Sequence, residues 1–216
     1  MSHACLYKLA GLSSGIGGLL GAGAHFLEVS APADPAQLAQ YATLNQAIHL
    51  ILFAGGILVL LGLGLFAFHL SASGTGLAAF LLIFVGILFA DVPHCVLEFS
   101  VFPLLMARVP YATPGLAEGT YHATPLAAIQ SAGRFLLLTG VPLAALSLSS
   151  RCRLLRWSAL PFAVTAVLMA ATLIPALRAA LDAHAATAFY LSMSILGVAL
   201  FRISDESASL RFMDGR

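Results

Sequence analysis

Charge is what this sequence most lacks. Only 9% of its 216 residues are Asp, Glu, Lys or Arg, whereas about a quarter of the residues in soluble domains are charged. So few charges cannot cover a water-soluble surface, and a formal net charge of +1 excludes the basic surface that nucleic-acid binding requires. We therefore predict a protein whose main partner is the lipid bilayer and which binds no nucleic acid.

Linkers are also missing. No charge block and no long run of Pro, Gly or Ser divides the chain, and 60% of the residues are hydrophobic. A helix needs about 20 apolar residues to cross the hydrocarbon layer. In this chain, apolar runs of that length follow one another, separated by short polar loops. We predict a single polytopic transmembrane domain over residues 1–216.

The apolar runs predict an all-α bundle of about six transmembrane helices. The spans are placed at residues 8–30, 44–69, 76–102, 125–148, 156–178 and 184–203. The longest connection covers residues 103–124. In the first span, glycines four residues apart predict close helix packing, either within the bundle or in a homodimer; they are Gly11, Gly15, Gly17 and Gly21.

Basic residues predict the orientation, because short loops rich in Lys and Arg stay in the cytoplasm. With the N-terminus inside, seven of them fall on the cytoplasmic side: Lys8, Arg151, Arg153, Arg156, Arg202, Arg211 and Arg216. Only Arg108 and Arg178 fall on the opposite side. Both termini are therefore predicted to be cytoplasmic, in a multi-pass protein of the cell membrane, and the short loops favour a bacterial inner membrane.

The first span invites a second interpretation. Lys8, an apolar run and the small residues of positions 22–24 resemble a signal peptide, whose removal would take away residues 1–24. The apolar run continues to Val29, however, which favours an uncleaved transmembrane helix.

Familiar metal-binding and nucleophile motifs are absent. The three cysteines, Cys5, Cys95 and Cys152, stand singly and are predicted to be free thiols. The chain has no H-x-x-x-H, H-E-x-x-H or C-x-x-C-H motif, so the patterns of desaturases, zincins and c-type cytochromes are excluded. A membrane hydrolase is a remote alternative, because no serine lies in the context of a nucleophile elbow.

A few ionisable residues nevertheless lie inside or beside the apolar spans. Such groups are costly in hydrocarbon and are functional candidates by default. Each of them falls toward the predicted non-cytoplasmic end of its helix; they are His25, Glu28, His49, Asp91, His94, Glu98 and Arg134.

The spacing of these residues places several of them on one face of a helix, where they can bind the same ion. His25 and Glu28 are three residues apart and lie on one face of their helix. Asp91, His94 and Glu98 follow with spacings of three and four. Imidazole and carboxylate groups presented inward from neighbouring helices are how helix bundles bind metal ions. We predict metal ligands among His25, Glu28, His49, Asp91, His94 and Glu98.

The first functional hypothesis is a redox or electron-transfer site in the outer third of the bundle. His25, His49 and His94 come from three consecutive helices and could ligate haem b. The neighbouring carboxylates favour a transition metal instead, Fe, Cu or Zn. A quinone or another membrane subunit would then be the partner.

Two further hypotheses use the same residues. In a proton- or cation-coupled transporter or permease they would bind the coupling ion, with Arg134 as the charge partner. In a structural or assembly subunit, Asp91 and Arg134 would form a buried ion pair between the third and fourth helices. His184, near the start of the last span, is expected to be solvated together with Asp182 in a turn.

Overall fold

A computed structural model describes residues 3–28, 38–70, 74–98 and 125–214, and this part of the chain is helical without strands. Six helices follow one another in it. They are α1 (His3–Leu27), α2 (Leu38–Leu70), α3 (Gly74–Val96), α4 (Pro125–Ser149), α5 (Arg153–Ala171) and α6 (Pro175–Asp214). The predicted connection over residues 103–124 lies outside the described residues.

The all-helical membrane bundle is confirmed, with one difference in the number of spans. Within the described residues, five segments are long and apolar enough to cross a membrane, one in each of α2 to α6. The first helix, α1, is not among them, because six glycines and two serines dilute the apolar character of its 25 residues. A sixth crossing by α1 therefore stays a prediction.

The boundary between the last two helices differs from the sequence prediction. The span predicted to reach residue 178 ends at Ala171, and α6 begins at Pro175 rather than at residue 184. Proline disfavours helical geometry in the residue before it and suits the first turn of a new helix. Asp182 and His184 consequently lie within α6, and the expected turn at these residues is wrong.

Neighbouring helices pack in antiparallel fashion, and α1 lies between α2 and α6. Glycines permit this close approach, as the first span predicted. A Cβ atom on Gly17 would lie 2.6 Å from the main-chain oxygen of Gly55 in α2. One on Gly18 would lie 2.5 Å from the main-chain oxygen of Tyr190 in α6. Gly11, Gly17, Gly18 and Gly21 thus pack closely within the chain, whereas a Cβ on Gly15 or Gly23 would meet no atom within 4 Å.

The remaining helices complete the bundle: α3 packs on α2 and α4, and α5 packs on α4 and α6. The core where α2, α3 and α5 approach one another is aromatic. The rings of Phe66 and Phe80 meet edge to face with centroids 5.2 Å apart, and Phe80 continues to Phe162 at 6.3 Å. This aromatic core lies toward the end of the bundle where α2 ends and α3 begins.

One end of the bundle is basic. The ammonium group of Lys8 lies 5.6 Å from the centre of the Phe201 ring, and Ser204 donates a hydrogen bond to the main-chain oxygen of Ala4. These contacts bring the start of α1 beside the later part of α6. The predicted site residues lie toward the opposite end; they are His25, Glu28, His49, Asp91, His94 and Glu98.

Candidate metal centre

Helix packing brings most of the predicted site residues to one end of the bundle. They come from the end of α1, the first half of α2 and the end of α3, which antiparallel packing places side by side. Among them, Glu28, His49 and His94 each offer one ligand atom, and these three atoms lie within 4.8 Å of one another. Three separate helical segments therefore converge on one point.

His49 is the best-defined member of the group. Its side chain is 2% exposed, and its Nδ1 atom lies 2.9 Å from the main-chain oxygen of Asn45. Since a carbonyl oxygen only accepts hydrogen bonds, Nδ1 carries the proton and Nε2 keeps its lone pair. The Nε2 atom is buried and has no hydrogen-bond partner in the described part of the chain.

A buried polar atom without a partner needs an explanation. Leaving such an atom unpaired costs about 1–3 kcal/mol, and in folded proteins a water or an ion usually satisfies it. Histidines that bind metals show this same arrangement, in which one ring nitrogen donates to a carbonyl or carboxylate and fixes the other toward the ion. Nε2 of His49 is therefore prepared to act as a ligand.

Asn45, whose main-chain oxygen orients His49, is itself fixed by a hydrogen bond with Glu98. The Asn45 side-chain amide donates a 2.8 Å hydrogen bond to the carboxylate of Glu98, which connects α2 to the end of α3. Glu98 was predicted as a metal ligand, and the structure instead places it on the residue whose main chain orients His49. Asn45 was missed in the sequence, although its position four residues before His49 could have indicated the contact.

His25 and Glu28 interact as their spacing predicts. The Nδ1 atom of His25 lies 3.2 Å from a carboxylate oxygen of Glu28, and the Glu28 side chain is 37% exposed. The hydrogen bond with His25 lowers the pKa of Glu28 below its usual value, although partial burial opposes the shift. Glu28 is thus an ionised, oriented carboxylate. His25 lies outside the three-residue group and acts on it through Glu28.

Asp91 and Arg134 have different partners from those expected. The Tyr190 hydroxyl donates a 2.7 Å hydrogen bond to Asp91, and Arg134 pairs with Asp182 at 3.5 Å. Among the described residues, Asp91 and Arg134 therefore do not form the direct ion pair that the structural hypothesis would use. Helix α6 starts early enough to bring Asp182 beside Arg134, whereas Asp91 faces Tyr190. The Tyr190 ring also lies 5.6 Å from the His25 ring, centre to centre.

Tyr190 is a functional candidate that the sequence did not reveal, because a tyrosine in an apolar helix is an ordinary core residue. We expect Tyr190→Phe to lower the free energy of unfolding by about 1–3 kcal/mol, the usual cost of leaving a buried hydrogen-bonding group without its partner. Thermal unfolding in detergent measures the change. In an Asp91→Ala background, which lacks the acceptor, the same substitution should cost less. An equal cost in both backgrounds would show that the hydrogen bond contributes nothing.

The ligand atoms of Glu28, His49 and His94 lie farther apart than the ligands of a bound ion, but a small movement would bring them to bonding distance. Bonds of about 2.1 Å place tetrahedral ligand atoms about 3.4 Å apart, so ions of this size would draw the group inward by ~1 Å. Glu28 can supply that movement, because it follows the last residue of α1 and its side chain is partly exposed.

No model of a known protein family, no curated protein and no solved structure matches this chain. The fold and the geometry together describe a multi-pass, membrane-type helical protein with a histidine and glutamate group that could hold a metal ion.

Proposed function

We propose that this protein binds one first-row transition ion, Fe, Cu or Zn, through Glu28, His49 and His94. The observation that carries the proposal is the buried, unpartnered Nε2 of His49 beside a second imidazole and an ionised carboxylate. Two imidazoles and one carboxylate suit such ions, and three protein ligands leave at least one coordination position open for water or a substrate.

An ion fits this site better than haem does. The rings of His49 and His94 meet edge to face with centroids 5.1 Å apart. A haem bound by two axial histidines must place its macrocycle between them, and rings already in contact leave no slot for it. We therefore expect no Soret band in the absorption spectrum of the purified protein.

With a redox-active ion, the proposed role is electron transfer or redox chemistry at the membrane. The site lies near one end of the bundle, where a lipid-soluble carrier such as a quinone, or another membrane subunit, could approach. The distribution of basic residues supports an orientation with both termini in the cytoplasm of a bacterial cell and the site on the periplasmic side.

Coupled transport has weaker support. Alternating access requires polar groups along both halves of the pathway. Away from the candidate metal centre, the fully buried polar side chains of the described residues all belong to serine or threonine. Toward the basic end, the core is filled by the aromatic rings of Phe66, Phe80 and Phe162.

Elemental analysis tests the proposal directly. The full chain, purified in mild detergent, should contain about one equivalent of Fe, Cu or Zn. Removing the ion with a chelator should lower the thermal midpoint, and adding it back should restore stability by about 2.7 kcal/mol when the free ion is at a hundred times its dissociation constant. A folded preparation that contains no stoichiometric metal, and whose midpoint none of the three ions changes, would rule the proposal out.

A further inference from the structure

The basic end of the bundle contains a cleft that the metal centre does not use. The cleft measures about 420 Å³ and opens at the start of α5. Among the residues whose side chains the structure describes, four line it: Arg153, Arg156, Trp157 and Leu160. No carboxylate is among these lining residues, so two arginines act there together on whatever enters the cleft.

Both arginines are available to an anion. Their side chains are exposed, and Arg156 uses one N–H group in a 3.4 Å contact with the main-chain oxygen of Arg151. A guanidinium group has five N–H donors in a planar fork that matches the oxygens of a phosphate. Most of this donor capacity remains for a ligand. The first turn of α5 adds main-chain N–H groups, because Cys152 provides no side-chain cap.

Below the arginines, the same face of α5 is apolar and open. Trp157 is 66% exposed and Leu160 is 63% exposed, and Val164 and Val167 continue the exposed row at helical spacing. Tryptophan is enriched at the depth of lipid headgroups. The face thus has cations and an aromatic ring at its end and an aliphatic surface along the span.

We propose that this face binds an anionic phospholipid, with the headgroup phosphate on Arg153 and Arg156 and an acyl chain along Trp157, Leu160 and Val164. Charge complementarity selects the lipid: basic pockets at the ends of transmembrane helices favour anionic headgroups over zwitterionic ones. The apolar row beneath the arginines explains why a lipid, rather than a free anion, is the occupant. The proposal does not depend on the metal centre.

Native mass spectrometry of the full chain tests this site. After reconstitution in equal amounts of phosphatidylglycerol and phosphatidylcholine and extraction into mild detergent, the wild type should retain phosphatidylglycerol preferentially. The Arg153→Gln/Arg156→Gln variant should lose that preference, with retention falling roughly fivefold for each arginine removed. If the double variant does not fold, the two single variants provide the same comparison.

Arg202→Gln is the matched control, because Arg202 is an exposed arginine on α6 that does not line the cleft. It should retain phosphatidylglycerol as the wild type does. Inorganic phosphate alone should not raise the thermal midpoint, since it lacks the acyl chain. The proposal is overturned if the wild type retains both lipids equally, if the double variant retains as much phosphatidylglycerol as the control, or if inorganic phosphate alone stabilises the protein.

Discussion

His49→Ala should abolish stoichiometric metal binding. The substitution removes the one ligand that is both buried and oriented by a hydrogen bond, from Nδ1 to the main-chain oxygen of Asn45. Removing a mere hydrogen-bond partner of a ligand typically lowers metal affinity by about 10–100-fold. Loss of the ligand itself should exceed that range, and elemental analysis of the purified variant measures it.

Two other variants make this result specific. Glu28→Gln replaces a partly exposed carboxylate by a neutral amide of the same shape, so the fold should survive. Metal retention should fall at least tenfold, because mutating even a hydrogen-bond partner of a ligand lowers metal affinity by about that much. His184→Ala removes an exposed histidine outside the group and should retain the ion. The proposed site is wrong if His49→Ala keeps as much metal as the wild type, or if His184→Ala loses it equally.

Gly18→Ala should be the most damaging of the small substitutions in α1. The new Cβ would lie 2.5 Å from both the main-chain oxygen of Tyr190 and the main-chain nitrogen of Ser194. Main-chain atoms cannot rotate away as the end of a side chain can, so α1 and α6 would have to separate. We expect a loss of about 2–3 kcal/mol in the free energy of unfolding, the upper part of the usual range for overpacking.

Gly23→Ala is the matched control on the same helix, because a Cβ there meets no atom within 4 Å. Alanine favours helix over glycine by about 0.5–1 kcal/mol, so this variant should be as stable as the wild type or slightly more stable. Thermal unfolding in detergent compares the two. Similar midpoints for both variants would show that α1 does not pack closely on α6.

Packing of α1 also affects the metal centre, because α1 delivers Glu28. If Gly18→Ala displaces the end of α1, it should weaken metal binding as well as stability, whereas Gly23→Ala should change neither. The position of the Glu28 carboxylate thus depends on the close packing of the α1 glycines.

The sequence by itself determined that this protein lies in a lipid bilayer and that its candidate site is built from histidines and carboxylates. Scarce charge and repeated apolar runs are properties of composition, and they predicted a helical membrane bundle. The placement of His49 and His94 at the same end of the bundle followed from counting residues along antiparallel spans. The crossing by α1 stays a prediction, because its glycines lower its apolar character.

The tertiary structure alone decided which of the polar residues meet. Rotation of each helix about its axis depends on side-chain packing, which spacing along one helix does not specify. Packing brings the ligand atoms of Glu28, His49 and His94 together. It also places Glu98 in a hydrogen bond with Asn45. Asp91 accepts a hydrogen bond from Tyr190, a residue 99 positions away in the chain. The early start of α6 at Pro175 brought Asp182 to Arg134 and so removed the expected ion pair.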